Sequence, residues 1–208
     1  MLIVPYEPAR AEIRVANSRF IASLSPVDSV EAAREYVASI RREFPDASHH
    51  VPAFIVGGGN SVTEFCSDDG EPSGTSGRPL LAVLKGSGLG NVAVVVTRYF
   101  GGTLLGTGGL VKAYSEAGRA VLALARRAEL VETLRVSFTV PYHLFDRVRQ
   151  LVSAAGAAVI TEEFLEDVHV VVDIAAGRFT ELSASLSEAS SGTIVPVVES
   201  KRLAAMPL

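Results

Sequence analysis

Val92-Ala-Val-Val-Val-Thr-Arg-Tyr-Phe-Gly-Gly-Thr-Leu-Leu-Gly-Thr-Gly-Gly-Leu110 joins an unbroken apolar run to a glycine-rich loop and then to a helical pattern. Residues 92–97 read as a central strand buried on both faces, because the run is apolar throughout until Thr97 at its end. Leu110, Ala113, Ala117, Val121 and Leu124 recur at helical spacing, and Arg126-Arg127 suit a helix C-terminus, which predicts a helix over 110–127. Strand, glycine loop and helix in that order place free backbone N–H groups and a helix dipole at one point.

A second such stretch lies upstream, Ser67-Asp-Asp-Gly-Glu-Pro-Ser-Gly-Thr-Ser-Gly-Arg-Pro79. The two segments, 67–79 and 97–110, carry eight of the chain's 18 glycines. Glycine is costly to order, so this density marks backbone at positive φ or lying against something close. Both segments also bear charges, hydroxyls and aromatics, which a plain turn does not need.

Around them the periodicity predicts an α+β chain. Residues 12–16 and 19–24 form a strand pair. Asp28 and Glu31 make a capping-box-like pair before a helix with Val30, Ala33, Val37 and Ile40 on one face, ended by Pro45. Residues 53–56 and 62–66 form a hairpin through Gly57-Gly-Gly-Asn, and Pro79 opens a short helix through Val83. Past Leu130 the pattern changes to strand (134–140), helix (Leu144 to Gly156), strand pair (158–161 and 168–173), helix (Phe179 to Leu186) and strand (193–198). That βαββαβ order is ferredoxin-like, with Pro196 favouring an edge strand. Two domains are expected, 1–132 and 133–208, the first with a mixed sheet packed on helices.

Composition narrows the function. The net charge is −4, and neither half is a basic block: 13 basic residues stand against 14 acidic up to Glu132, and 6 against 9 beyond it. Strong salt-driven nucleic-acid binding is therefore not indicated. Cys66 is the single cysteine, so there is no internal disulfide and no cysteine zinc site. No long apolar run spans a membrane, and the opening Met1-Leu-Ile-Val-Pro-Tyr-Glu is unlike a signal peptide, so a cytoplasmic protein is expected.

The 101–110 loop reads as an anion site for phosphate or carboxylate. Gly108 and Gly109 admit a ligand to the backbone, Thr103 and Thr107 offer hydroxyls, and Arg98 and Lys112 supply charge. It is neither a Walker A loop nor a dinucleotide fingerprint, and a connection whose glycines serve packing alone is the competing reading. Asp68, Asp69 and Glu71 could hold Mg²⁺ or Ca²⁺, yet the calcium-loop pattern is missing, and pairing of an aspartate with Arg78 or Arg98 is favoured. No metal and no cofactor are expected. His49 and His50 sit together in a loop, Ser73 lacks a nucleophile elbow, and Cys66 is disfavoured as a thiolate beside Asp68 and Asp69. Tyr99-Phe100 could stack on a base but fit a core better. The candidate binding surface is therefore Arg98, Tyr99, Gly101, Gly102, Thr103, Thr107, Gly108, Gly109 and Lys112 from one segment, and Asp68, Asp69, Glu71, Ser73, Thr75 and Arg78 from the other, with His49 beside them. Arg98 follows the buried strand, so the two segments are expected to meet with Arg98 bridging to one of the three carboxylates.

Both long motifs closely resemble the signature of the YigZ/IMPACT family, as do Ser18-Arg-Phe-Ile21 and Ala47-Ser-His49. The resemblance covers nearly the whole chain. It implies an N-terminal domain of a kind shared with ribosomal and translation-factor domains, and a ferredoxin-like C-terminal domain similar to those ending elongation factor G. It also implies a role in translation: eukaryotic relatives regulate it by binding a partner of an initiation-factor kinase, and ribosome or RNA contact is the usual suggestion for bacterial members. At Asn17, Ile55 and Glu64-Phe65 this sequence lacks positive charge that relatives often carry, which weakens a nucleic-acid role. The leading expectation is a non-catalytic binding protein acting in translation or its regulation through ribosome, RNA or translation-factor contacts. The rivals are a phosphate-handling hydrolase or phosphotransferase, with Asp68 or Asp69 on Mg²⁺ or as base, and a protein–protein adaptor.

Overall fold

The computed structural model describes residues 2–58 and 61–208. Its elements divide into two compact units, one running to Glu129 and including Ala205–Leu208, the other Leu130–Ala204. The α+β, two-domain class expected from the sequence is the one found.

The first unit contains β1 (Leu2–Pro5), β2 (Ala9–Val15), β3 (Ser18–Pro26), α1 (Val30–Glu43), β4 (His49–Gly58), β5 (Ser61–Cys66), α2 (Gly77–Gly86), β6 (Val92–Tyr99) and α3 (Gly106–Leu124). A five-stranded sheet runs β2-β3-β6-β4-β5. Its four pairings are all antiparallel, so the sheet expected to be mixed is not. Each neighbour in this order runs opposite to the last, and no parallel βαβ crossover is needed.

The central strand β6 has the two buried faces its composition required. Val92, Val94 and Val96 pack with Leu80 and Leu84 of α2 and Leu110, Ala113, Tyr114 and Ala117 of α3. Ala93 faces the other way, in a smaller cluster with Val27, Ala33 and Phe54 beneath α1. Side chains alternate along a strand, so Arg98 falls on the α3 side as the polar end of the valine row. The fold thus delivers a guanidinium to the top of a hydrophobic core.

Several boundaries differ from the sequence expectation. The side chain of Ser29, not Asp28, caps α1, accepting the Ala32 N–H at 3.1 Å. Pro79 sits in the first turn of α2 as expected, but that helix continues to Gly86. Helix α3 starts four residues early, at Gly106, so Thr107, Gly108 and Gly109 belong to its first turn. Leu124 is exposed, while Tyr114 and Gly118 are on the buried face; a Cβ at Gly118 would meet Leu80 at 2.8 Å. His49 and His50 open β4 rather than lying in a loop. The β4–β5 hairpin is present, although Gly59 and Asn60 of its expected turn lie outside the described residues.

The second unit is built from β7 (Arg127–Val140), α4 (Phe145–Ala154), β8 (Ala158–Phe164), β9 (Val168–Ala175), α5 (Phe179–Ala189) and β10 (Val197–Pro207). Strand order β10-β7-β9-β8 is that of a ferredoxin-like βαββαβ domain. Val136, Phe138, Val170, Val172 and Ile174 of the sheet pack on Val148, Val152, Leu182 and Leu186 of the helices. The last strand begins at Val197 instead of 193: Pro196 has no N–H for a ladder, and Ile194 is instead buried in this core. No helix among the described residues is long and apolar enough to cross a membrane.

The cap assignment gives a direct prediction. Ser29→Ala should cost about 1 kcal/mol in urea unfolding, whereas Asp28→Ala should stay within about 0.5 kcal/mol. Equal losses at both positions would contradict Ser29 as the cap.

Candidate functional site

Arg98 donates from Nη1 to Glu71 Oε1 at 2.7 Å, and the Tyr114 hydroxyl donates to the same oxygen at 2.7 Å. Only 6% of the Arg98 side chain and 3% of the Glu71 side chain are exposed. The guanidinium lies 5.4 Å from the Phe20 ring centre and 5.5 Å from that of Phe100, within cation–π reach of both. Its Nη2 is 3.4 Å from Ser18 Oγ, which also accepts the Gly101 N–H at 3.2 Å. Its Nε has no partner among the described residues. Burial, and then the Glu71 carboxylate as acceptor, push the Tyr114 phenol far above its ordinary range, so it stays a hydrogen-bond donor. The two glycine segments therefore meet, with Arg98 of one held to Glu71 of the other.

His49 completes the cluster. Its Nδ1 lies 2.8 Å from the Asp69 carbonyl, which can only accept, so Nδ1 carries a proton. That leaves Nε2 turned to Glu71 Oε1 at 3.9 Å.

The aspartates serve different partners from those expected. Asp68 folds the acidic loop onto the start of α2: it accepts the Gly74 N–H at 2.8 Å, the Gly77 N–H at 2.8 Å, the Ser76 N–H at 3.1 Å and the Ser76 hydroxyl at 2.8 Å. Burial pushes its carboxyl up, but these bonds outweigh it and the net shift is downward. Asp69 pairs with Arg41 at 2.5 Å and accepts the His50 N–H at 2.6 Å. Burial again acts upward and is outweighed, first by Arg41. Neither Arg78 nor Arg98 takes an aspartate, because Asp68 is taken by the N–H groups of Gly74, Ser76 and Gly77 and Asp69 by Arg41 and the His50 N–H. Among the described residues no group of three His, Cys, Asp or Glu is placed to hold a metal. Burial and then Asp68 push the Cys66 thiol up, against Arg78, so it stays protonated.

Above the buried pair is a pocket of about 460 Å³ lined by residues of both segments. Its lining includes Arg98, Glu71 and His49, the apolar Phe100, Leu104 and Leu110, and Gly106 and Thr107 of the α3 N-terminus. No side chain caps that helix end, so its first N–H groups are free for a ligand. The remaining candidates are scattered. Thr75 is buried and its hydroxyl bonds the Pro72 carbonyl at 2.7 Å. Tyr99 bonds Asp46 at 3.1 Å and lies under Arg19. Lys112 is largely exposed, 3.9 Å from Glu116, and is not part of the pocket lining. Ser73, Arg78, Gly102, Thr103 and Gly108 are exposed. Gly101 has a packing role, since a Cβ there would meet the Asn17 carbonyl carbon at 2.1 Å. Tyr114, Ser18, Leu104 and Leu105 were not singled out from the sequence. Tyr114 carried one signal, a hydroxyl-bearing aromatic at four residues from Leu110 on the apolar stripe.

Two family models match this chain. The family model for the Impact N-terminal domain matches residues 16–122, and that for DUF1949, a domain of unknown function, matches residues 138–193. The IMPACT family member YigZ of Escherichia coli K12 is 38% identical over 195 residues, 92% of this chain and 95% of that protein. An IMPACT family member of Haemophilus influenzae is 36% identical over 194 residues, 93% of this chain and 94% of that one. The crystal structure of a hypothetical protein aligns with a TM-score of 0.61 at 36% identity, covering 96% of this chain and 97% of its own.

Two outcomes follow from the geometry. Arg98→Ala, which strands a buried carboxylate, should cost about 3–5 kcal/mol in denaturant unfolding; Lys112→Ala should stay within about 0.5 kcal/mol. A loss at Arg98 no larger than at Lys112 would contradict the buried pair. Because the carboxyls of Asp68 and Asp69 are held below their unfolded values, the stability they supply is complete above the unfolded pKa near about 3.9 and is lost as pH falls through the lower folded values. Urea midpoints measured from pH 5 downward should therefore fall less steeply in Asp68→Asn than in the parent, and equal slopes would refute the assignment.

Proposed function

Since the chain belongs to the IMPACT family, we propose that it is a cytoplasmic, non-catalytic binding protein that acts on translation or its regulation by docking a translation-related protein at the pocket between its glycine segments. One observation carries the reading: the carboxylates at the pocket are committed to protein partners, while exposed apolar side chains stand beside it. Glu71, Tyr114, Asp68 and Asp69 are hydrogen-bonded to protein groups, and Arg98 is paired through Nη1 to Glu71. Leu104, in contrast, is 87% exposed and Phe100 47% exposed. Apolar side chains displayed beside a pocket suit a protein contact.

Charge favours protein over RNA as that partner. Arg10 pairs with Glu43, Arg19 with Glu12, Arg41 with Asp69 and Lys85 with Glu64. A phosphate backbone would have to compete with each of these carboxylates. The link to translation comes from the family, whose eukaryotic members act through protein partners.

A phosphate-handling enzyme has one observation in its favour, His49 in the lining of the pocket that also includes the first residues of an uncapped helix. Its other requirements are weaker, because Asp68 and Asp69 are already bonded and Lys112 lies away from the pocket.

Sedimentation with ribosomes and with purified translation factors tests the proposal. Co-migration at low salt should be lost in Leu104→Asp, whose exposed site leaves the fold intact. Migration alone in every mixture, or binding untouched by Leu104→Asp, would sink it. Turnover of nucleotides or phosphoesters that disappears in His49→Asn would transfer the protein to the enzyme class.

A further inference from the structure

Helices α2 and α3 each carry apolar residues on two sides, and only one side packs into the core. Leu80 and Leu84 of α2 lie in that core with Leu110, Tyr114 and Val121 of α3. Elsewhere on the same helices, Ala82, Val83 and Gly86 of α2 and Val111, Leu122 and Ala123 of α3 line a groove of about 780 Å³. All of its lining residues belong to the first unit. Ala82, Val111 and Ala123 are exposed. A surface helix ordinarily turns polar groups to solvent opposite its core stripe. An apolar groove in that position marks a contact that the chain alone does not complete.

Charge supplies an independent observation. Residues 77–127 hold seven basic residues and one carboxylate, Glu116, in a chain whose net charge is −4. Arg98 is buried against Glu71, Lys85 pairs with Glu64, Lys112 lies 3.9 Å from Glu116, and Arg126 pairs with Glu7. Arg119 and Arg127 both line the groove, both are exposed, and neither pairs with a carboxylate among the described residues. Arg127 donates instead to the Ser87 carbonyl, at 3.1 Å. The groove lining contains no acidic residue.

We infer that this groove docks an amphipathic helix of a partner protein, its apolar stripe against α2 and α3 and its flanking carboxylates on Arg119 and Arg127. The α3 lining runs from Val111 to Ala123, about 18 Å of helix axis, which suits a docked helix of about three turns. Exposed guanidiniums without a carboxylate can donate to Asp or Glu of the partner. A second copy of this chain fits poorly, since an isologous contact would set these arginines against the same cations. A polynucleotide fits poorly too, because the lining offers its bases no aromatic ring to stack on. The groove shares no lining residue with the pocket at the glycine segments, so it is a second surface of the same domain.

The test selects binders on the full-length protein from displayed helices of about four turns. Their stripe is fixed as leucine and alanine, and each flanking position is free to be Glu, Lys or Gln. Glu should dominate the flanks of the selected peptides. The most enriched peptide, labelled and titrated by fluorescence anisotropy, should bind Arg119→Glu at least about tenfold more weakly than the parent, a difference of about 1.4 kcal/mol. Its lysine-flanked counterpart should show the opposite preference, binding the Arg119→Glu, Arg127→Glu double variant more tightly than the parent. Ala82→Gln combined with Ala123→Gln, which puts polar side chains in the groove, should weaken the Glu-flanked peptide by a similar factor. Urea midpoints of these variants should stay near that of the parent, because the sites are exposed. Leu104→Asp should bind the peptide as the parent does.

The inference is overturned if Glu is not enriched, if charge reversal leaves the preference unchanged, or if the groove variants bind as the parent does. Loss of peptide binding in Leu104→Asp would move the peptide to the other pocket and overturn it equally. An oligouridine that displaces the peptide at lower concentration than the peptide's own would assign the groove to nucleic acid instead. A dimer in sedimentation velocity that Ala82→Gln dissolves would assign it to a second copy. Failure of the peptides with ribosome co-migration intact would remove this surface and leave the docking proposal at the glycine segments standing.

Discussion

A guanidinium at the end of a valine row is an expensive thing to bury, and the first domain is arranged around that expense. Arg98 continues the core-facing alternation of β6, so its charge is carried under Phe100 and over Phe20. Desolvating it alone would be prohibitive, and Glu71 from the other glycine segment compensates it, with Tyr114 fixing the shared oxygen. The acidic loop must therefore close onto β6 for the sheet to keep its register. The position of the pocket is a consequence of that closure.

Glycine performs three separate tasks around the pair. At Gly101 and Gly77 it permits backbone to lie against backbone, where a Cβ would overlap Asn17 or Ser67 at 2.1 and 2.6 Å. At Gly70 and Gly106 it supplies left-handed turns that admit the chain to and from the pocket. Only at positions such as Gly108 does the space face outward. The same composition that marked these segments as unusual thus contains both scaffold and candidate contact surface, and geometry is needed to tell them apart.

Much of this was legible in the residues. A continuous apolar strand, a glycine loop and an amphipathic helix are local patterns, and the pairing of Arg98 with a nearby carboxylate follows from where a strand ends. The choice among Asp68, Asp69 and Glu71 was not legible. It depends on the competing claims of Arg41 and the α2 N–H groups, which lie far along the chain or form only once the loop has folded. The early start of α3 was hidden because glycines are poor helix formers. The antiparallel order of the first sheet was equally hidden, since strand direction is set by long-range pairing. Tyr114 escaped because a helical stripe is read by its apolar members, and its role appears only when Glu71 arrives from 43 residues away.

The buried pair of Arg98 and Glu71 is what holds the two glycine segments together. A double-mutant cycle between Arg98→Met and Glu71→Gln, read by urea unfolding, measures that interaction directly. A coupling energy above about 1.5 kcal/mol is predicted, beyond what exposed ion pairs give. Coupling within about 0.5 kcal/mol of zero would mean that the two segments are held by something else, and would contradict the account.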